Sequence, residues 1–499
     1  MTNQHVAAHV DSGSATGHAA VAGVAAPLEH VIGGQLVGSE PRFEVRSPID
    51  GRLLGEVAAG GPTEIDAAVG AARDAFPAWA ALGPQRRGEL LHALAEEIRR
   101  RNDDIARLET EDNGSLLIGN IKRVVQRGAH NIDFFAEWAT RLEHDPIVGE
   151  QNDNHVRYDP SGVSALIVPW NAPFMLGTWK IGPALAAGNT VVVKPPEWAP
   201  FTLGLLGEIA TEVGLPPGVL NIVQGIGEEA GAALVAHPDV DRISFTGSPE
   251  TARHIAASAA ANLTPLSFEL GGKSPFLVFA DADLDEVARE VCGQFVNAGQ
   301  VCLAGTRLLV EESVAEELLA RVAAALTRFP VGDPRELSTR VGPLIHPDHF
   351  VRVQGFVDRA IATGAVALFG GGRHPFGELW FAPTLLANVA QDSEIVQQEV
   401  FGPVLTWQTF RSEDEALTLA NDTSYGLAAT LYTSDAERAE RVGSRLVAGT
   451  VWVNSFFVRD LASPFGGARM SGVGREGGTW SFDFYCDVKN LSIKRGSFH

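Results

Sequence analysis

The stretch VSALIVPWNAPFMLGTWKIGPALAAGNTVVVK, residues 163–194, decides the fold. VSALIV reads as a short buried strand, and TVVVK at 190–194 repeats it. FMLGTWKIGPALAAG between them has the length and pattern of a helix. Strand, helix and strand in this order make a βαβ unit with parallel strands. Outward from it the rhythm continues through VLNIV (219–223), RISF (242–245) and LSFEL (266–270). These are separated by the helical patterns FTLGLLGEIATEVG, EEAGAALVAH and PETARHIAASAAA. A mostly parallel sheet follows, and ligands of such sheets bind at the carboxyl ends of the strands.

A second αβ series begins at SPFLVFADADLDEV and runs past FGGARMSGVGREGG, with the Gly/Pro-rich joint ELGGKSP between the two. Two α/β domains with the joint at a cleft are expected. Upstream, PTEIDAAVGAARDAF puts Thr63 where a helix N-cap belongs and Ile65, Val69, Ala72 and Phe76 on one face. RRGELLHALAEEIRRRNDDIARL continues with Leu91, Leu94, Ile98 and Ile105, and both stretches read as amphipathic cover. Near the end, FYCDVKNLSIKR alternates like a strand that can add to another element or subunit.

The 499 residues allow about three domains' worth of core, and 45% apolar content is that of a globular protein. A net charge of −22 argues against nucleic acid, whose binders need a basic face. Cys292, Cys302 and Cys486 form no C-x-x-C pair, so a reducing compartment is the simplest expectation. No Lys or Arg precedes Arg42, which removes the basic start of a secretory signal, and no apolar run approaches the ~20 residues of a membrane span. A cytoplasmic protein with no membrane partner and a disordered tail over residues 1–28 is expected. The 14 histidines show no H-x-x-x-H cluster, so no metal site is expected.

NAGQVCLAGTR, residues 297–307, places Cys302 among Ala298, Gly299, Ala304 and Gly305. Free cysteines are more often packing residues, but small neighbours let a ligand approach, and a nucleophilic thiolate needs access and a polarising environment. Glu269 ends the apolar strand PLSFEL just before two glycines. It is either an ordinary strand-end carboxylate or, half buried at a cleft, a general base with a raised pKa. Asn171 is either a turn residue or an amide donor to a developing oxyanion. GIGEEAG from Gly225 and FTGSPETAR both follow strands and precede helix N-termini, where a pyrophosphate is stabilised, although neither matches G-x-G-x-x-G.

Taken together, VPWNAPF, VVVKPPEWAP, SFTGS, ELGGKSP, NAGQVCLAGTR, QQEVFGPV and PFGGARMSGVGREGG resemble the aldehyde dehydrogenase superfamily in order and spacing, from about residue 30 onward. The resemblance implies a Rossmann-like coenzyme domain (29–138 and 158–269), a catalytic α/β domain (270–478) and a small β oligomerisation arm (139–157 and 479–499) in a homodimer or homotetramer. It implies NAD as cofactor and a small aldehyde as substrate. Cys302 would be the nucleophile, Asn171 the oxyanion donor and Glu269 the water-activating base. Trp170, Lys194, Glu197, Gly225, Phe245, Ser248, Glu399 and Phe401 would form the coenzyme site, and Glu197 would disfavour a 2′-phosphate. FFVRDLASPFGG, QRGAHNIDFFAEWA and GREGGTWSFDFYCDVKN resemble the branch that oxidises hydroxymuconic-type semialdehydes, including the carboxymethyl form, in aromatic ring breakdown. In that branch two arginines, matching Arg127 and Arg459, grip the substrate carboxylate. Ala462 departs from the branch's usual RDLR, and FMLGTWK departs from its leucine-rich run. The alternative is a broad-specificity or betaine-type enzyme, for which an aromatic cage without cationic anchors is expected.

Overall fold

The computed structural model describes residues 17–142 and 145–496. Five parallel strands build the first sheet's centre, in spatial order Leu266–Leu270, Arg242–Gly247, Val163–Ile167, Thr190–Lys194, Leu220–Ile222. In chain order this is 5-4-1-2-3, so the connections leave the first strand toward both edges and open a crevice where the order reverses. Antiparallel strands finish the sheet: Gly472–Val473 beside Leu266–Leu270, and His30–Ile32 beside Leu220–Ile222. The first of these brings a segment from far down the chain against Glu269, which pairs with Gly472.

The second sheet is also mostly parallel. Pro275–Val278 lies at its centre between Arg307–Glu311 and Ala428–Tyr432, with Val404–Phe410, Thr384–Ala387 and Thr450–Val453 outside them. Each sheet has its own apolar core, with Val191, Val193 and Phe174 fully buried in one and Phe276, Leu308 and Val404 in the other. The sheets meet at ELGGKSP, as the joint's composition suggests. A third sheet pairs Asn152–Pro160 with Cys486–Lys494 over nine residues, so the alternating terminal segment is a strand.

Four sequence expectations need correction. Disorder expected over 1–28 does not hold where the chain is described: His18–Val21 and Val24–Pro27 form a hairpin, and Val21 and Ala26 are buried in the first core. Residues 1–16 lie outside the described residues. Thr63 does not cap the helix Pro62–Ala81; Gly61 does, and its N–H donates to Glu64 Oε2 at 2.8 Å. Proline's fixed φ suits the first helical position, which moves the cap one residue upstream of it. The helical run over 86–108 is two helices, Gly83–Arg100 and Asn102–Asn113, broken at Arg101. Finally, the strand assigned to the arm continues to Pro160, past 157. The helix Gly478–Tyr485 buries Phe482 and Tyr485 in the coenzyme-side core, because these rings complete a cluster with Phe135 and Trp179. The terminal strand therefore begins at Cys486, itself buried, and is exposed only from Asp487 onward.

Among the described residues no helix is long and apolar enough to cross a membrane, and no group of His, Cys, Asp or Glu side chains is placed to hold a metal ion.

Candidate active site

The crevice is lined from the carboxyl ends of the first sheet. Trp170 and Asn171 follow strand 163–167, Lys194 ends strand 190–194, Gly225 follows 220–222, Ser248 follows 242–247, and Glu269 is the penultimate residue of strand 266–270. The catalytic domain closes over them with Cys302, Glu399, Phe401 and Arg459.

Cys302 lies at the end of an unusual backbone. Asn297, Ala298 and Gly299 have φ of 56°, 52° and 68°, three consecutive left-handed residues of which only glycine adopts that region freely. The two non-glycine residues, Asn297 and Ala298, cost on the order of 1–3 kcal/mol each and persist where the surroundings over-determine them. Here a reciprocal lock does so. Asn171 Nδ2 donates to the Gln300 carbonyl at 3.0 Å, and Asn297 Nδ2 donates to the Asn171 carbonyl at 3.2 Å. Gln300 Oε1 accepts from Ile345 N–H at 3.0 Å. Asn171 is thus tied directly to the cysteine loop, and its amide has a second hydrogen left for a ligand. Gly272 passes behind the loop so closely that a Cβ there would be 2.9 Å from the Cys302 carbonyl.

Cys292 and Cys486 are buried, whereas Cys302 is partly exposed. Burial, with the Glu399 and Glu269 carboxylates, pushes the Cys302 thiol up to about 12.

Glu269 is 6% exposed, and among the described residues neither carboxylate oxygen has a hydrogen-bond partner. Desolvation first, and then the neighbouring Glu476 charge, raise its pKa well above the carboxylate range. Glu476 is itself held by Lys180 Nζ at 3.0 Å and by the Trp179 indole N–H, and Lys180 also donates to Ser244 Oγ at 2.8 Å. Sequence reading missed Lys180 and Glu476. They are 296 positions apart, and no spacing rule joins them.

Arg459 lies in the same region. Its guanidinium carbon is 3.8 Å from the Trp179 ring centre and 3.7 Å from that of Phe465, a two-sided cation–π sandwich. Its Nε and Nη2 are buried and, among the described residues, unpartnered. Arg127 Nη1 donates to the Arg459 carbonyl at 3.4 Å, and its Nε donates to Asn131 Oδ1 at 3.1 Å, so the two arginines are neighbours.

The remaining residues ring the crevice. Lys194 Nζ donates to Glu197 Oε2 at 2.5 Å. Glu399 Oε1 accepts from Gly272 N–H at 3.1 Å, and burial raises its pKa to about 7. Phe401, with φ of 60°, packs edge-on to Trp170 at 5.2 Å. Gly225 has no room for a side chain, since a Cβ would be 2.9 Å from the Gly60 carbonyl. Ser248 accepts from Thr251 N–H at 3.1 Å and caps helix Pro249–Ala259, whose N-terminus faces the crevice end of its strand. Phe245 differs from the rest: it is buried against Phe268, beneath Gly247, as a packing residue.

A partly exposed thiol, an amide locked to its loop and a buried carboxylate come together at the crevice of a doubly wound sheet. The aldehyde dehydrogenase family model matches residues 36–491, and the chain belongs to that family, whose members are oxidoreductases acting on aldehydes. It is 41% identical to 2-hydroxymuconic semialdehyde dehydrogenase of Pseudomonas sp. (strain CF600) over 94% of this chain and 99% of that one. It is 41% identical to the chloroplastic betaine aldehyde dehydrogenase of Beta vulgaris, over 90% and 93%. The crystal structure of an indole-3-acetaldehyde dehydrogenase complexed with NAD+ superposes with a TM-score of 0.92 at 36% identity, covering 94% of this chain and 97% of that one.

The left-handed turn generates a direct test. In Gly299→Ala the new Cβ would lie 2.2 Å from the Gly402 carbonyl. The loop must shift, and a displacement of about 1 Å at a nucleophile costs on the order of 100-fold. Steady-state assays should show kcat reduced by about that factor, with the far-ultraviolet circular dichroism spectrum unchanged. A kcat within twofold of the unmutated protein would mean that this backbone does not aim Cys302.

Proposed function

We propose that the protein oxidises a carboxylate-bearing aldehyde, of the hydroxymuconic semialdehyde type, to the corresponding acid with NAD. The observation that carries the substrate class is the Arg459 guanidinium, held between Trp179 and Phe465 with two buried, unpartnered nitrogens beside the Cys302 and Glu269 region. A desolvated arginine with free donors suits a carboxylate, which it can bind through two parallel hydrogen bonds. Arg127 adds a second positive charge beside it.

The betaine-type alternative has the support of a 41% identical relative. Its substrate is cationic and needs open aromatic faces. Here the faces of Trp179 and Phe465 are already covered by the protein's own cation, and Arg459 and Arg127 would repel a second one. The sandwich favours the anionic substrate.

The residues present fit the coenzyme. Lys194 and Glu197 offer a donor and acceptor for a ribose, and the carboxylate of Glu197 repels a 2′-phosphate. Glu399, beside Gly271 and Gly272, offers an acceptor for the second ribose. When bound, NAD supplies the acceptor for the hydride that leaves the substrate carbon.

The chain's own residues do the rest. Cys302 Sγ attacks the carbonyl carbon as its proton passes through water to the Glu269 carboxylate, which releases it to solvent before the next step, and the oxyanion is met by the Asn171 amide and the Cys302 N–H. Once the carbon is at the thioester level, Glu269 takes a proton from the attacking water, and the acid leaves as Cys302 recovers its thiol. An unpartnered buried carboxylate suits this task, since its raised pKa makes it a stronger base than an exposed one. The arm strands Asn152–Pro160 and Cys486–Lys494 expose Val488 and Leu491 and provide the contact between copies in a homo-oligomer.

Two measurements test this. Arg459→Ala and Arg127→Ala should each lower kcat/KM on a hydroxymuconic-type semialdehyde by roughly 30-fold or more, the size of a lost desolvated charge pair, and change benzaldehyde oxidation by only a few-fold. Equal losses on both aldehydes would reduce the arginines to a structural role. Because Glu269 must be ionised to act, single-turnover thioester hydrolysis should rise with pH along a limb centred well above the ordinary ~4.3 of a glutamate. A flat rate from pH 5 to 9 would remove Glu269 as the base.

A further inference from the structure

Trp198, next to Glu197 in the coenzyme domain, lies flat on His346 of the catalytic domain, with ring centres 4.5 Å apart and planes 4° from parallel. Trp198 also leans on Trp170 at 5.9 Å, and Trp170 packs against His349 at 5.3 Å and Phe401 at 5.2 Å. His349 Nε2 is 2.8 Å from the Phe401 carbonyl. Rings from both domains thus interleave in one column along the rim of the crevice. It touches the neighbours of Glu197 at one end and of Asn171 and Glu399 at the other.

We propose that His346 is a positioning residue for the coenzyme, acting through Trp198. The stack spans the two domains and holds Trp198 in one orientation. The backbone of Trp198 carries Glu197, whose carboxylate is tied to the buried Lys194 only 2.5 Å away. Without the stack, the partly exposed indole is free to turn, and the ribose grip that Glu197 and Lys194 offer loses its fixed geometry. The proposal rests on the coenzyme site assigned above and adds to it a contribution from the opposite domain.

His346 has a second job that the test must separate. Its Nδ1 accepts from Asp348 N–H at 3.2 Å and caps the helix Pro347–Ala362. His346→Phe keeps a flat ring and removes the cap; His346→Asn keeps a good cap and removes the ring. Calorimetric NAD binding and steady-state kinetics on the full chain give the readouts. His346→Ala should raise Kd and KM for NAD about two- to tenfold, the size of an aromatic stacking contribution, with kcat at saturating NAD unchanged. His346→Phe should restore both constants and His346→Asn should not. Any pattern in which Phe fails to restore them, or in which Asn does, overturns the proposal, as does an unchanged Kd in His346→Ala. If the unmutated protein itself fails to bind NAD, the coenzyme reading fails and the proposal falls with it.

Discussion

A carboxylate buried without a hydrogen-bond donor is unfavourable as an anion, and the site depends on Glu269 being kept in that state. Its strand is the outermost parallel strand of the coenzyme sheet, yet it is not an open edge, because Gly472–Val473 pairs along it. Gly466 passes close enough that a Cβ there would be 2.8 Å from Glu269 Oε1. The segments that cover Glu269 therefore come from beyond residue 460, and the two domains must be assembled before its carboxylate is dry. Lys180 neutralises the adjacent Glu476 instead of Glu269, which leaves the base polarised but unpaired.

The same division of labour extends to the nucleophile. The cysteine loop carries three left-handed residues, and the coenzyme domain holds that loop through the two hydrogen bonds between Asn171 and the Asn297–Gln300 turn. Asn171 therefore aligns the loop, and the oxyanion role proposed for it uses the same amide group. Burial, and after it the Glu399 and Glu269 carboxylates, raise the pKa of the Cys302 thiol.

How much of this could be read in the sequence follows from the range of the forces involved. Strands such as Thr190–Lys194, with Val191, Val192 and Val193 all buried, carry dense apolar runs, and burial on both faces writes itself into local composition. Small neighbours and strand ends marked Cys302, Glu269 and Asn171 only as candidates with ordinary structural alternatives, and their proposed roles came from the resemblance of seven ordered motifs. The Thr63 cap was misplaced because Pro62 and Glu64 act together over three residues, a finer scale than hydrophobic periodicity resolves. Phe245 was assigned to the coenzyme site from a motif position, while its burial under Gly247 depends on Phe268 in the next strand. Glu476, Lys180 and the Trp179–Arg459–Phe465 sandwich join residues nearly 300 positions apart, where only the folded chain reveals the partnership.

The central claim is that substrate becomes covalently attached to Cys302 and that Glu269 releases it. Intact-mass spectrometry of the Glu269→Gln protein, mixed with NAD and a semialdehyde and quenched in acid, tests both halves at once. The account predicts one equivalent of reduced coenzyme followed by a stall. The protein should gain the mass of the acyl group on the peptide containing Cys302, and the Cys302→Ser protein should gain none. A Glu269→Gln protein that turns over at the unmutated rate with no added mass would contradict it.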